Sequence, residues 1–489
     1  MRILLLLLIA AVCINAGIFN WKSTGLGEKL KETFGGLSKI LFKANVSAIH
    51  ERLSKLKDRI RAKLSLSAEE VKALAERLKL VKRTKVDTVQ AMGDTIEEIN
   101  MKSHVGEYLF QGDIVLTSAQ ADEITEDIFD DGSARSKRQA FRDRRYPSTV
   151  WTNGVAYFFD ENASSSVKSV FKKAAELWRK DTCINFMESK FATDKIRVFM
   201  EVGCWSYVGR TGGEQKLSLG NGCDSIGTAA HELGHALGFF HTHSRHDRDR
   251  FITPDWLDQF TMETVATNDN YGITYDPGSV MHYGSTSASA NKEPTMVPKE
   301  AKYIETLGSP FVSFYDLLML NKHYNCTEKC SPQTSAKCEN GGFPHPRNCM
   351  KCICPGGYGG DLCNARPAGC GEVLEATSDF QTFTSTVGNK KLGTEPREDF
   401  DKCHYWIKAP AGKKIAVKLA KFTPGGIAVD GCSYAGVEIK AKHDQRLTGF
   451  RFCSTEDANT LLLSETNLVP VIVYNRIYAS DVTIQYRFF

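Results

Sequence analysis

The chain has 489 residues, of which 42% are hydrophobic and 25% are charged, and its formal net charge is +4. A chain of this length can bury several hydrophobic cores, so we expect three or four modules rather than one domain. The mild positive charge gives no reason to expect nucleic acid or a membrane surface as a partner.

The N-terminus has the pattern of a secretory signal peptide. Arg2 precedes an apolar run over residues 3–11, and the small Ala16 is a suitable cleavage boundary. This run is too short to span a bilayer, and no later stretch reaches about 18 apolar residues. We therefore expect a signal peptide over residues 1–16 and a secreted, extracellular mature protein without a transmembrane segment.

Cysteine usage agrees with secretion. Of the 15 cysteines, Cys13 lies inside the signal peptide, and the rest form an even number in three clusters along the chain. This pattern predicts seven disulfide bonds, formed in an oxidising compartment.

The segment after the signal peptide, residues 17–138, is called the leader below. Up to about residue 86 it is basic, lacks cysteine and has apolar residues at helical intervals. The first stripe comprises Ile49, Leu53, Leu56, Ile60 and Leu64. A capping box at Ser67 to Glu70 starts a second helix, with Val71, Leu74 and Leu78 on one face. We interpret both stripes as packing surfaces; a membrane-binding or partner-binding helix is the alternative, against which the intermixed acidic residues argue.

Residues 139–326 mix strand and helix patterns. The predicted strands cover residues 155–159, 196–202 and 212–219, and a helix over residues 166–180 has Val170, Ala174 and Leu177 on one face. The third strand ends just before a histidine-rich helix.

The stretch from His231 to His241 has the spacing of a catalytic zinc site. On a helix, His231 and His235 lie about 40° apart and can present two imidazoles to one ion. Gly238 can adopt a positive φ, which lets the chain reverse and bring His241 round as a third ligand. Three protein ligands leave a position for water, as in catalytic zinc sites, and Glu232 would stand beside that water as general base. A chance HExxH on an ordinary helix is the alternative, and the added glycine and third histidine argue against it.

A second motif makes a family resemblance specific. HExxHxxGxxH followed by the methionine turn of residues 279–283 is typical of the metzincins, and the residues after Gly238 resemble the astacin family of zinc peptidases. The resemblance implies that Met281 forms an apolar floor below the metal. It also implies that Tyr283 is a switchable metal ligand that later stabilises the oxyanion.

The same resemblance gives the leader a role. Phe110-Gln111-Gly112-Asp113 is similar to the Phe-x-Gly-Asp element of astacin propeptides, which implies that Asp113 ligates zinc in the latent form only. The cluster Arg135 to Arg138 fits a furin-type cleavage site in a polar linker. A solvated charge run is the ordinary interpretation of such a cluster, but its position favours a propeptide ending at Arg138, released by a furin-like protease. The alternative is a leader that is retained as a partner-binding region.

Two further expectations concern the cleft and the mature N-terminus. The resemblance implies that the strand of residues 212–219 is a sheet edge, which can bind an extended peptide as an added strand. Typical astacins have a glutamate directly after the third histidine, which pairs with the buried N-terminal ammonium, whereas this chain has Thr242 followed by His243. Because a hydroxyl cannot neutralise a buried ammonium, we expect the new terminus to stay outside and residues 139–145 to be solvated.

The remaining cysteines mark two C-terminal modules. Residues 327–364 resemble an EGF-like module, and residues 370–489 resemble a CUB β-sandwich. In the protease region the spacing of four cysteines allows three connectivities. The resemblances imply the pairs Cys183–Cys326, Cys204–Cys223, Cys330–Cys349, Cys338–Cys352, Cys354–Cys363, Cys370–Cys403 and Cys432–Cys453.

The sequence thus predicts an α+β, two-lobed metzincin catalytic domain with a helical propeptide, a small disulfide-rich EGF-like module and a CUB sandwich. The expected function is a secreted, zymogenic endopeptidase with one zinc ion that acts on extracellular proteins or peptides, with matrix, cuticle or eggshell proteins as the substrate class. Its EGF-like and CUB modules are expected to bind matrix or substrate proteins. The rival is a non-catalytic extracellular binding protein on a protease scaffold, which the intact histidines and Glu232 disfavour. Asn45, Asn162 and Asn325 begin glycosylation sequons.

Overall fold

The computed structural model describes residues 37–55, 68–80, 87–129, 140–141, 145–254, 268–287, 289 and 293–489. The predicted signal peptide, Leu56, Ile60, Leu64, Ser67 and the basic cluster at residues 135–138 lie outside the described residues. Among the helices that are described, none is long and apolar enough to cross a membrane.

A six-stranded sheet with two helices packed together beside it forms the core of the protease region. The strand order is β1 (Ile114–Val115), β6 (Cys204–Tyr207), β7 (Glu214–Leu219), β5 (Lys195–Phe199), β3 (Val155–Phe159) and β4 (Phe186–Glu188). All neighbours are parallel except β6 and β7. The helices are α5 (Ser165–Lys180) and α6 (Ile226–Ala236), each with a serine N-cap. Val170 and Ala174 of α5 are fully buried, as expected for its apolar face.

The strand order at one edge of this sheet differs from the expected order. β7 lies inside the sheet because the chain turns back before it, through glycines with positive φ at 209, 212 and 213, so that β6 pairs antiparallel on its outer side. On this side of the sheet the outermost strand of the protease region is therefore β6, and the leader strand β1 pairs with it in parallel. The expectation that the strand of residues 212–219 forms the edge is wrong.

Smaller elements complete the protease region. They are β2 (Ala140–Phe141) paired with β9 (Asn268–Asp269), β8 (Ile252–Pro254) paired with β10 (Met296–Pro298), the 3-10 helix Ala301–Thr306, and α7 (Phe314–His323). Ala140 is fully buried in the main core and forms a backbone bridge with Phe239. The expectation that residues 139–145 are solvated is therefore wrong at Ala140, because its small side chain lets the backbone pass next to the core.

The described part of the leader contains four helices and lies against the protease region. They are α1 (Leu37–Ser54), α2 (Ala68–Leu80), α3 (Ile96–Lys102) and α4 (Ser118–Phe129). Ile49 and Leu53 pack against the cluster that contains Phe240, as a packing stripe requires. Of the second stripe, on α2, Leu74 is buried, whereas Val71 and Leu78 are exposed, so one of its three positions packs.

Two modules follow the protease region, and all seven predicted disulfides are present. Residues 330–363 form a hairpin of β11 (Phe343–His345) and β12 (Asn348–Ile353) tied by three of the bridges. A module this small has little apolar core, so disulfides supply much of its stability.

The C-terminal part is a sandwich of two sheets, called the C-terminal sandwich below. One sheet has the order β13 (Val373–Glu375), β15 (Asp401–Lys408), β20 (Leu468–Asn475), β17 (Ala435–Ile439) and β18 (Phe450–Phe452). The other has β14 (Gln381–Gly388), β21 (Ala479–Phe488), β16 (Ile415–Thr423) and β19 (Thr460–Leu463). In β14 Phe383, Ser385 and Val387 are buried and the residues between them are exposed, the period of two expected of a strand with one face on a core.

Candidate active site

Helix α6 and the turn after it bring three histidines together. The hydroxyl of Ser225 accepts the N–H of Thr228 at 3.0 Å and caps the helix. His231 and His235 then lie one turn apart, with their Nε2 atoms 3.0 Å from each other. The helix ends before Gly238, whose φ of +110° turns the chain back so that His241 meets His231 at 3.3 Å between Nε2 atoms. A side chain at position 238 would be strained by this φ.

Each of these imidazoles is held through its other nitrogen. Nδ1 of His231 donates to the carbonyl oxygen of Val280 at 2.6 Å. Nδ1 of His235 donates to the carbonyl oxygen of Phe239 at 2.7 Å, and Nδ1 of His241 donates to the side-chain oxygen of Gln111 at 2.7 Å. With the proton on Nδ1, each Nε2 directs a lone pair into the cluster. Burial also lowers the pKa of His241 to about 3, which keeps that ring neutral. Three imidazoles that converge in this way form a donor set that fits zinc.

Asp113 of the leader completes the cluster. Its carboxylate is fully buried, and its oxygens lie 3.0 Å from Nε2 of His231, 3.2 Å from that of His241 and 3.5 Å from that of His235. The potential ligand atoms of all four residues lie within 4.8 Å of one another. Burial alone would raise the pKa of Asp113, but the histidines hold it well below its usual range.

Glu232 lies next to the cluster without contacting it through a hydrogen bond. Its side chain is fully buried, and neither carboxylate oxygen has a hydrogen-bond partner among the described residues. Burial, followed by the nearby charge of Asp113, raises the pKa of Glu232 well above its usual value. An unpartnered buried carboxyl group is costly, which is typical of functional sites rather than of structural ones.

The methionine turn lies below and beside the histidines. Met281 is fully buried against Gly234 of α6, where any larger residue would clash with its sulfur. The ring of Tyr283 lies 4.4 Å from that of His241, and its hydroxyl donates to the backbone carbonyl of Gln111 at 2.9 Å. The leader therefore contacts both the histidine cluster and this tyrosine.

Comparison with known proteins identifies the family. The model of the Astacin peptidase family matches residues 143–325. Zinc metalloproteinase nas-31 of Caenorhabditis elegans is 44% identical over 470 residues, which cover 92% of this chain and 76% of that protein. The chain belongs to the astacin family. Nas-32 of the same organism is 39% identical, over 80% of this chain and 60% of its own length.

A solved structure is similar as well. High choriolytic enzyme 1, a hatching enzyme zinc-protease from Oryzias latipes, is 29% identical and covers 38% of this chain and 98% of its own, with a TM-score of 0.35. This astacin is thus a zinc metalloendopeptidase that uses one catalytic zinc, and the rival of a non-catalytic binding protein is set aside.

The structure brings together all six predicted site residues of this astacin: Asp113, His231, Glu232, His235, His241 and Tyr283. Thr242, at the position where typical astacins have a glutamate, and His243 after it both make defined contacts. The hydroxyl of Thr242 donates to that of Ser279 at 2.8 Å, and the ring of His243 stacks on those of His241 and Tyr283. These contacts place residues 242 and 243 between the zinc cluster and the methionine turn.

Three residues with evident roles in the site were not predicted. Gln111 binds His241 and Tyr283, and Asn100 binds both Gly112 and Cys204. Gln111 occupies the unspecified position of the Phe-x-Gly-Asp element, and no local motif points to Asn100. Asp316 accepts the backbone N–H of Val280 at 2.9 Å and so holds the methionine turn.

A sequence signal existed for Asp316 alone. Ser313-Phe314-Tyr315-Asp316 fits a capping box, and the structure has that box at the start of α7. The capping role was therefore predictable, whereas the contact with the methionine turn was not.

Proposed function

We propose that this astacin is a secreted endopeptidase that is made latent by its own leader. His231, His235 and His241 would hold the zinc, Glu232 would be the general base, and Tyr283 would stabilise the oxyanion. When bound, zinc supplies Lewis-acid polarisation of the peptide carbonyl and of water. Glu232 takes the proton that water loses and passes it to the leaving amine. Tyr283 donates its hydroxyl hydrogen to the oxygen on which negative charge develops.

The position of Asp113 carries the latency proposal. A carboxylate among three histidine Nε2 atoms, at 3.0 to 3.5 Å, would ligate the zinc that they hold and so exclude a substrate or water. The adjacent carbonyl of Gln111 engages the hydroxyl of Tyr283, so the same leader turn also keeps the proposed oxyanion donor occupied. Gly112, with a φ of +91°, makes this turn possible because a side chain there would meet the tyrosine.

The remaining assignments complete the proposal. Residues 1–16 are a signal peptide, residues 17–138 a propeptide cleaved after Arg138 by a furin-like protease, and residues 139–326 the catalytic domain. Residues 327–364 form an EGF-like module and residues 370–489 a CUB domain, which bind matrix or substrate proteins. Seven disulfides support an oxidising, extracellular location. The substrate class is matrix, cuticle or eggshell protein, in line with a similar protein that is a hatching enzyme.

The test compares full-length chain before and after cleavage in the linker. Uncut wild-type protein should be inactive on a quenched fluorescent peptide, and the cut protein should be active. Asp113→Ala should give measurable activity in the uncut protein, because the carboxylate is gone while the other leader contacts remain. A fully latent Asp113→Ala protein with its zinc bound would place the inhibitory contact elsewhere in the leader.

A further inference from the structure

The leader touches the C-terminal sandwich as well as the protease region. The backbone N–H of Asp87 donates to the carbonyl of Ala428 at 2.8 Å, and the N–H of Ala428 donates back to the Asp87 carboxylate at 2.9 Å. The side chain of Val89 packs against the sandwich core. Asp87 thus satisfies both backbone polar groups of Ala428, one through its own backbone and one through its side chain. Ala428 lies outside the strands of the sandwich.

A second contact lies a turn further along the leader. The hydroxyl of Tyr434 donates to the carboxylate of Asp94 at 2.6 Å, and that carboxylate also accepts the N–H groups of Val89 and Gln90 at 2.9 Å each. Tyr434 is buried, and the guanidinium of Arg476 lies 4.7 Å from the centre of its ring. The positive charge of Arg476 on this surface complements the acidic residues of the leader segment that faces it.

The sandwich is itself fixed to the protease region. The carboxylate of Asp430 accepts the hydroxyl of Ser285 at 2.8 Å and the N–H and hydroxyl of Thr286 at 2.9 and 2.6 Å. On another face, Asp276 accepts the N–H and hydroxyl of Thr448 at 3.2 and 3.1 Å. The protease region and the C-terminal sandwich, which both contact the leader, are therefore fixed relative to each other. The leader contacts both of them between residues 87 and 113.

We propose that the surface formed by Ala428, Tyr434 and Arg476 is a binding site for residues 87–98 of the leader, and that it keeps the leader bound after the linker has been cut. The inference rests on the proposed role of the leader as an inhibitory propeptide. The leader residues that make these contacts all lie on the N-terminal side of Arg138. Cleavage after Arg138 therefore breaks the covalent connection and leaves the contacts in place. The leader would then leave only when its contacts with both surfaces open together.

The experiment uses the full chain with a site for a sequence-specific protease added to the linker and with Glu232→Gln in every protein to prevent autolysis. After cutting, release of the leader is followed by size-exclusion chromatography at falling protein concentrations. Tyr434→Phe removes one hydroxyl and keeps the ring under Arg476. Its matched control is Tyr478→Phe, on the same sandwich, whose hydroxyl makes no hydrogen bond with any described residue.

Wild-type protein and Tyr478→Phe should retain the leader, and Tyr434→Phe should bind it roughly 10- to 100-fold more weakly, as the loss of one hydrogen bond to a charged group predicts. Asp87→Ala, a change in the leader that leaves the sandwich untouched, should weaken binding too, whereas Thr88→Ala should not. Retention by Tyr434→Phe and Asp87→Ala equal to wild type, or immediate loss of the leader from the wild type, would overturn the proposal. Peptidase activity with Glu232 restored is measured separately, so that its absence refutes the proposed function and leaves the binding result intact.

Discussion

Replacement of Asn100 by alanine should give the uncut chain measurable peptidase activity without changing the activity of the mature enzyme. Asn100 is fully buried in α3. Its side-chain N–H groups donate to the carbonyls of Gly112 at 2.9 Å and Cys204 at 2.7 Å, and its side-chain oxygen accepts the N–H of Cys204 at 2.8 Å. This one side chain thus connects the leader turn of residues 111–113 to strand β6 of the protease sheet.

The magnitude follows from what the substitution leaves behind. The two hydrogen bonds to Cys204 are lost at about 1 kcal/mol each, and the buried N–H of Cys204 left without a partner adds about 1 to 2 kcal/mol, so the leader should be bound about 3 to 4 kcal/mol more weakly. A change of about 3 kcal/mol raises the fraction of chains with an open leader roughly 100-fold. Once the leader has gone, residue 100 has gone with it, and water can reach Cys204.

The assay measures peptide cleavage by uncut and cut protein and amide hydrogen exchange in residues 204–207. Uncut Asn100→Ala should show raised activity and faster exchange in this strand, and cut protein should match cut wild type in kcat/KM. Met101→Ala, a change at a half-exposed position of the same helix, is the control and should behave as wild type. Unchanged latency and unchanged exchange in uncut Asn100→Ala would refute the reasoning.

The other predictions concern the base, the mature N-terminus and a buried acid of the leader. Glu232→Gln should keep zinc, measured by mass spectrometry of the metal, and lose activity by several orders of magnitude; a tenth of wild-type activity would contradict the role of base. Mature enzyme that starts at Tyr146 should melt several degrees below enzyme that starts at Gln139, because it lacks the buried Ala140 and its strand pairing; equal melting temperatures would contradict this. Burial raises the pKa of Glu97, which bonds Ser287 and faces Asp430, to about 7. Glu97 of the bound leader therefore keeps its proton up to a pH of about 7, whereas Glu97 of the free leader loses it above about 4.5. Leader binding should weaken as the pH rises from about 4.5 to 7, and Glu97→Gln should remove that part of the pH dependence. An identical pH profile in both proteins would contradict it.

Much of the zinc site follows from the sequence because its geometry is local. His231 and His235 share a face by helical periodicity, and the turn at Gly238 needs only a residue that tolerates positive φ to bring His241 back. The disulfide pairs and the place of Asp113 came from resemblance to a family, since spacing alone left several connectivities open.

The contacts that hold the leader depend on tertiary structure alone. Asn100, Gln111 and Tyr434 act across separations of about one hundred residues or more, and nothing near them in the chain marks their partners. The edge of the sheet was likewise decided by the antiparallel pairing of β7 with β6, which precedes it. A strand pattern reveals which face of a strand is buried but not which strands are its neighbours. Ala140 is buried for the same kind of reason: its surroundings are set by Phe239 and residues 268–269, and the charges beside it in the sequence are no guide to them.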